Sequence, residues 1–322
     1  MYISWNHKIL SSIFVSKYEE LMNRNLSILP ALLILSLLLA SCSVQRFLSV
    51  DEAGYMTPDS ITEQYHPAGI VEERIYDSSV FPGPTARRML VYLPAGYYEN
   101  DTRYPVMYLF HGARGNETSW IKDGGMFAIL DSLQSCGVAG KMITVLPNMN
   151  QYDDDADFNH SRFKHPVESL FEVDGTVESG FVDDVVAIVD SLYRTKAEKS
   201  GRAIAGLSIG AMQSIFISAA YPDMFDYVGL FSPMCKSVIK HSGYSSFYKD
   251  LYGKMERQFE TPPELYFIAI GRKDIFHSQM EDFRHDLDKR GYGYEYFESD
   301  GGHGWESWRL FYSELLPKLF QE

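Results

Sequence analysis

Three side chains in this sequence have the types and the chain order needed to move an acyl group: Ser208, Asp274 and His303. Ser208 stands in Gly206-Leu207-Ser208-Ile209-Gly210, with glycine two places away on either side. A serine hydroxyl is a weak nucleophile at neutral pH, so an imidazole must take its proton. A carboxylate must in turn hold that imidazole in the right tautomer and stabilise the cation it becomes. The negative oxygen that develops on the attacked carbonyl needs N–H donors already in place. His111-Gly112-Ala113 follows an apolar run, and the amides of Ala113 and Ile209 are the candidate donors. His111 itself is read as a residue that shapes this loop.

These residues work only if the chain around them folds as strands that end at one place. Arg202-Ala203-Ile204-Ala205 reads as a short buried strand, and Ala211-Met212-Gln213-Ser214-Ile215-Phe216 as the start of a helix. Ser208 would then sit on the sharp turn between them, where flanking glycines let strand and helix pass closely. Asp274 follows a strand at 265–270, and His303 lies in a glycine-rich loop between a strand at 294–297 and a last helix at 306–319. Asp274 could alternatively cap the helix after it. Asp300 is a rival acid, but three residues from His303 it is poorly placed to reach the far ring nitrogen.

Further strands are expected at 70–80, 87–93, 106–110, 142–146 and 228–231, and helices at 126–133, 181–193 and 280–287. Strands alternating with helices predict an α/β fold with a mostly parallel sheet covered on both faces. The order serine, acid, histidine is that of the α/β hydrolases.

The first 41 residues read as a signal peptide, with Met22 as an alternative start. The apolar run from Leu26 to Ala40 is short for a membrane span and ends in Leu39-Ala40-Ser41-Cys42, which resembles a bacterial lipobox. Cys42 is the expected lipidation site, residues 42–65 a tether, and residues 66–322 the catalytic domain. An exported lipoprotein is the expectation, with Ser43 favouring the outer membrane. Cys136 and Cys235 are expected to be buried free thiols. A net charge of −14 argues against nucleic acid as a partner.

Several stretches resemble the putative esterase family of α/β hydrolases: Val91-Tyr92-Leu93-Pro94-Ala95-Gly96-Tyr97, Tyr104-Pro105-Val106-Met107-Tyr108-Leu109-Phe110-His111-Gly112, Ala220-Tyr221-Pro222-Asp223-Met224-Phe225, and Gly301-Gly302-His303-Gly304-Trp305-Glu306-Ser307-Trp308. That group includes feruloyl and acetylxylan esterases of carbohydrate esterase family 1, S-formylglutathione hydrolases, siderophore esterases and mycolyltransferases. The resemblance covers about residues 66–322 and implies a triad of Ser208, Asp274 and His303. It also implies a serine esterase without metal or organic cofactor, acting on feruloyl or acetyl esters of plant polysaccharide or oligosaccharide. Acyl transfer, siderophore ester hydrolysis and a non-catalytic glycan-binding lipoprotein stay open as alternatives.

Where the family is richer in glycine the chain has Arg114, which would narrow or charge the pocket mouth. The polar insertion from Asn148 to Gly175 carries Asp153, Asp154, Asp155 and Asp157 in no metal-loop spacing. It is read as a solvated loop that supplies Phe158 and Arg162 to the substrate. Trp305 is read either as lining the acyl pocket or as pinning the histidine loop. Oligomeric state is not legible.

Overall fold

The computed structural model describes residues 56–80, 86–150, 175–234 and 246–321. Eight strands form one sheet in the order β1-β2-β4-β3-β5-β6-β7-β8. They are β1 (Ile70–Asp77), β2 (Ala86–Leu93), β3 (Val106–Phe110), β4 (Ile143–Pro147), β5 (Arg202–Leu207), β6 (Tyr227–Phe231), β7 (Leu265–Gly271) and β8 (Glu295–Ser299). Strand β2 pairs antiparallel with both β1 and β4, and every other pairing is parallel.

The central strands are buried on both faces, which is why they read as short continuous apolar runs instead of alternating ones. Along β3, Val106, Tyr108 and Phe110 join one apolar layer while Met107 and Leu109 join the other. In the first layer lie α3 (Thr176–Phe181) and α4 (Ala187–Leu192), joined through a π-helical turn at Val182–Val186, with α5 (Ile209–Ala220), α6 (Leu251–Glu260) and α7 (His277–Arg290). In the second lie α1 (Pro58–Tyr65), α2 (Met126–Ser135) and α8 (Trp305–Leu315). This is the α/β-hydrolase architecture.

Helices α1 and α6, with a single turn at Ser119–Lys122, are absent from the sequence reading. Helix α1 falls inside the stretch expected to be a tether, so the part of that stretch from Met56 onward belongs to the folded domain. Thr57 and Ser60 form a reciprocal capping box, Pro58 occupies the first turn, and Ile61 is fully buried. Arg88, itself buried, reaches the carbonyl of Met56 and the carboxylates of Glu73 and Glu117. Helix α6 opens on Asp250, whose carboxylate caps Gly253 N–H, and it buries Leu251 and Met255.

The first strand ends at Asp77, three residues short of the expectation. Cys136 is exposed rather than buried: it caps the C-terminus of α2 just before Gly137, where the chain turns outward. Cys42, Cys235, Phe158 and Arg162, with the signal peptide, lie outside the described residues.

Candidate active site

The site is assembled where β3, β5, β6, β7 and β8 end. Ser208 follows β5 at φ 54° and ψ −112°. That pair is the first central position of a type II′ turn, a conformation that favours glycine. The serine is held there from two sides: its N–H donates to Phe231 O at 2.8 Å, and its carbonyl accepts from Met212 N–H at 3.1 Å. The close crossing explains the two flanking glycines. A Cβ on Gly210 would stand 2.3 Å from the His111 carbonyl oxygen, and one on Gly206 would stand 2.5 Å from the carbonyl carbon of Gly210.

Asp274 and His303 sit on loops that are stitched together through the backbone. Arg272 N–H donates to Ser299 O at 2.8 Å, and Lys273 N–H to Gly301 O at 3.0 Å. Ser307 Oγ–H closes the histidine loop onto Gly302 O at 2.7 Å. The result brings the three side chains together. His303 Nδ1 lies 3.0 and 2.9 Å from the two Asp274 oxygens, and its Nε2 lies 3.0 Å from Ser208 Oγ. With Nδ1–H donating to the carboxylate, Nε2 is left as an acceptor for the serine hydroxyl.

Burial works to raise the pKa of Asp274, but donors from His303, the Phe276 N–H and the Ser232 hydroxyl outweigh it. The carboxyl therefore lies below its ordinary range and stays ionised in neutral and mildly acidic water. Asp274 does not cap α7, which starts at His277 after Phe276. Asp300 points away and pairs with Arg272 at 2.9 Å on the surface.

The rings of Phe276 and Trp308 both meet the imidazole edge-on, at 4.9 and 5.0 Å. Phe276 does not stand out in the sequence, being one apolar residue in a loop, and Trp308 is marked there only as the end of the Gly301–Trp308 stretch. Trp305 packs edge-to-face against Trp120 and Trp308, each at 5.3 Å, so its ring braces the histidine loop.

The loop after β3 passes beside the nucleophile: a Cβ on Gly112 would stand 3.6 Å from Ser208 Cβ. Ile209 is the first residue of α5, where the helix dipole is positive. Among the described residues neither Ala113 N–H nor Ile209 N–H has a hydrogen-bond partner. Both amides are thus free to receive a negative oxygen.

His111 is buried, and its ring is saturated by backbone. Nδ1–H donates to Gly112 O at 2.8 Å, and Nε2 accepts from Met149 N–H at 3.0 Å. Burial, with Arg87 nearby, holds its pKa down to about 4, so it stays neutral. Asn150 Nδ2–H donates to Gly115 O at 2.8 Å. Histidine and asparagine together tie the loop that carries Ala113 to the start of the long insertion. Arg114, at φ 60°, is exposed on that loop.

Among the described residues, His277, Glu281 and Glu298 are close enough to share an ion. However, Glu298 already accepts from His277 Nε2–H, Tyr296 O–H and Arg272, and Glu281 from Arg284. Their carboxylates are committed to protein donors, and the group is a surface ion-pair network.

The family described as "Putative esterase" matches residues 84–319. An endo-1,4-beta-xylanase/feruloyl esterase from Xylanibacter ruminicola is 37% identical over 147 residues, covering 44% of this chain and 19% of that protein. The chain spans between 19% and 30% of the length of the curated relatives it matches. Among solved structures, a carbohydrate esterase family 1 ferulic acid esterase from Anaeromyces mucronatus, in complex with ferulic acid, has a TM-score of 0.64. It is 25% identical and covers 78% of this chain and 91% of that one. An S-formylglutathione hydrolase from Staphylococcus aureus has a TM-score of 0.57 and 16% identity, with 79% and 98% covered; that likeness is one of fold.

Proposed function

We propose that this chain, which belongs to the putative esterase family and is a serine carboxylic-ester hydrolase, cleaves feruloyl or acetyl esters of plant polysaccharide or oligosaccharide through an acyl-enzyme on Ser208. The observation that carries the mechanism is the continuous hydrogen-bonded line from Ser208 Oγ through His303 to Asp274. His303 Nε2 takes the serine proton as Oγ attacks the ester carbon, and the amides of Ala113 and Ile209 receive the oxyanion. The imidazolium then gives that proton to the departing sugar alkoxide. Water enters, His303 deprotonates it, and attack on the acyl-enzyme releases the acid and restores the serine. Asp274 keeps Nδ1 protonated throughout. All five groups belong to the protein, so the reaction as written calls on no metal or organic cofactor.

The substrate class is supported by the relatives' printed activities, a feruloyl esterase and a ferulic acid esterase. Arg114, Trp305, Phe158 and Arg162 are the side chains proposed to meet the substrate. The test is hydrolysis of 4-nitrophenyl acetate beside methyl ferulate by the purified chain and by Ser208→Ala. Turnover of both with methyl ferulate preferred, lost in the variant, is the expected result. Turnover of the acetate ester alone would replace the aromatic acyl group by a small one. No turnover of either would remove ester hydrolysis.

Export as a lipoprotein through Cys42 is proposed from the lipobox-like Leu39-Ala40-Ser41-Cys42. In a bacterial host, wild-type esterase should sediment with membranes, and Cys42→Ser should fail to do so. Equal sedimentation of the two would overturn the lipid anchor.

A further inference from the structure

Asn148-Met149-Asn150 follows β4 and opens the stretch expected to be a polar insertion, yet every backbone polar group of the three has a partner. Asn148 N–H donates to Arg88 O at 3.0 Å, and its carbonyl accepts from the buried Arg87 guanidinium at 2.7 Å. Met149 N–H donates to His111 Nε2, and its carbonyl accepts from the Gln213 amide at 3.3 Å. Asn150 N–H donates to Asn148 Oδ1 at 3.0 Å, and its carbonyl accepts from Arg87. The segment is thereby fixed both to β2 and to α5, the helix that starts beside the nucleophile. The Asn150 side chain then donates through Nδ2–H to Gly115 O at 2.8 Å, a bond the mechanism above does not use.

Gly115 closes the turn that carries Ala113. Its N–H donates to Gly112 O at 3.1 Å, so Gly112–Gly115 is a β-turn with Ala113 and Arg114 at its centre. Arg114 stands at φ 60°, in the left-handed region, and Ala113 does not. That is the pattern of a type II turn, whose third residue is ordinarily glycine or asparagine. An arginine there is strained and persists only where its surroundings hold it. At the start of the turn Gly112 O also accepts from His111 Nδ1–H at 2.8 Å. At its end Gly115 O is held by Asn150.

We propose that Asn150 is a positioning residue for oxyanion stabilisation: by clamping Gly115 O it fixes the strained turn and, with it, the Ala113 N–H. The proposal rests on Ser208 as the nucleophile and on the Ala113 amide as an oxyanion donor. Alanine at 150 would remove the clamp, the turn would relax, and the Ala113 amide would turn away from the oxygen it must meet. An oxyanion donor acts on the transition state and not on the bound ester. It serves formation and breakdown of the acyl-enzyme alike, so both steps would slow together and KM would stay where it was.

The experiment compares the full-length wild type with Ser208→Ala, Asn150→Ala and Asn150→Asp; aspartate has the shape of asparagine but no N–H to give Gly115. It measures kcat and KM on 4-nitrophenyl acetate, Tm, and the inhibition constant of trifluoroacetophenone, whose adduct with the Ser208 hydroxyl carries an oxyanion. Both Asn150 variants should lose about 10-fold in kcat, less than the 10²–10³-fold of losing an oxyanion donor outright. They should lose a similar factor in affinity for the ketone, with KM unchanged. The isosteric aspartate variant carries the same test should the alanine variant fail to fold. Variants with a lowered Tm but wild-type kcat and ketone affinity have lost only a structural contact, and would overturn the proposal. A fall in kcat without loss of ketone affinity, or a rise in KM at constant kcat, would overturn it equally. In each of these cases wild-type turnover that disappears in Ser208→Ala upholds the nucleophile. A wild type no more active than Ser208→Ala would overturn the nucleophile and this role with it.

Discussion

Ser208→Ala should lower kcat on any ester substrate by on the order of 10⁴–10⁶-fold, and Ser208→Gly should lose as much while becoming more stable than the wild type. The first half follows from the position of the base: among the described residues His303 Nε2 contacts Ser208 Oγ, at 3.0 Å, and no other nucleophile. The second half follows from the backbone. At φ 54° and ψ −112° a Cβ is crowded, and glycine at the same place is not. Relief of about 1–2 kcal/mol corresponds to a rise in Tm of roughly 2–4 °C for a domain of this size. Alanine keeps the Cβ and should melt near the wild type. The strain is held by the bond from Ser208 N–H to Phe231 O and by the passage of Gly210 against His111, neither of which glycine at 208 disturbs. Kinetics and thermal melts on the three proteins check both halves. Residual activity above one part in a hundred in Ser208→Ala would place the nucleophile elsewhere, and a Gly variant less stable than Ala would deny the stored strain.

The sheet and the three interacting side chains are readable in advance because each depends on local chemistry. Gly206 and Gly210 announce a close strand–helix crossing, and β3, β5 and β7 are apolar runs of strand length. Asp274 and His303 each follow a strand, so both fall at the edge of the sheet where loops meet. What stays hidden depends on partners far away in the chain. In Phe231-Ser232-Pro233 the serine looks like an ordinary strand end. Its hydroxyl accepts from the indole N–H of Trp308, 76 residues on, a contact no local pattern announces. Helix α1 is polar apart from Ile61 and Tyr65, which find their core only because β1 lies beside the helix. Helix α6 begins Asp250-Leu251-Tyr252-Gly253, which reads as a turn until α5 supplies a surface for Leu251 and Met255. The apolar character of Cys136 points to the interior, but the helix end that carries it faces water.

Asp274→Asn should keep the fold and cost about 10⁴-fold in kcat. The carboxylate accepts from His303 Nδ1 and from Phe276 N–H at 2.9 Å. An amide offers one oxygen to these donors, and its NH₂ must face one of them. If it faces His303, Nδ1 becomes the acceptor and the ring proton moves to Nε2, where it points at Ser208 and the base is lost. If it faces the Phe276 N–H instead, two donors meet where a carboxylate oxygen had been and the loop must shift. Either way the cation formed during attack loses its counter-charge.

The same substitution should alter the acid dependence of stability, and the sign can be worked out. The folded-state pKa of Asp274 is depressed, so its contribution is fully present above the ordinary carboxylate pKa and is lost as pH falls through the depressed one. The asparagine amide of the variant does not titrate. The Tm advantage of wild type over Asp274→Asn should therefore be largest near neutral pH and shrink as pH falls below about 4. Thermal melts of both proteins between pH 7 and pH 3 measure it. An advantage that grows with acid would mean the folded protein holds Asp274 protonated, and no aspartate so held could support an imidazolium. Retention of more than a tenth of kcat would move the acid's role to another carboxylate. Asp300, the nearest candidate in sequence, is already turned outward to Arg272.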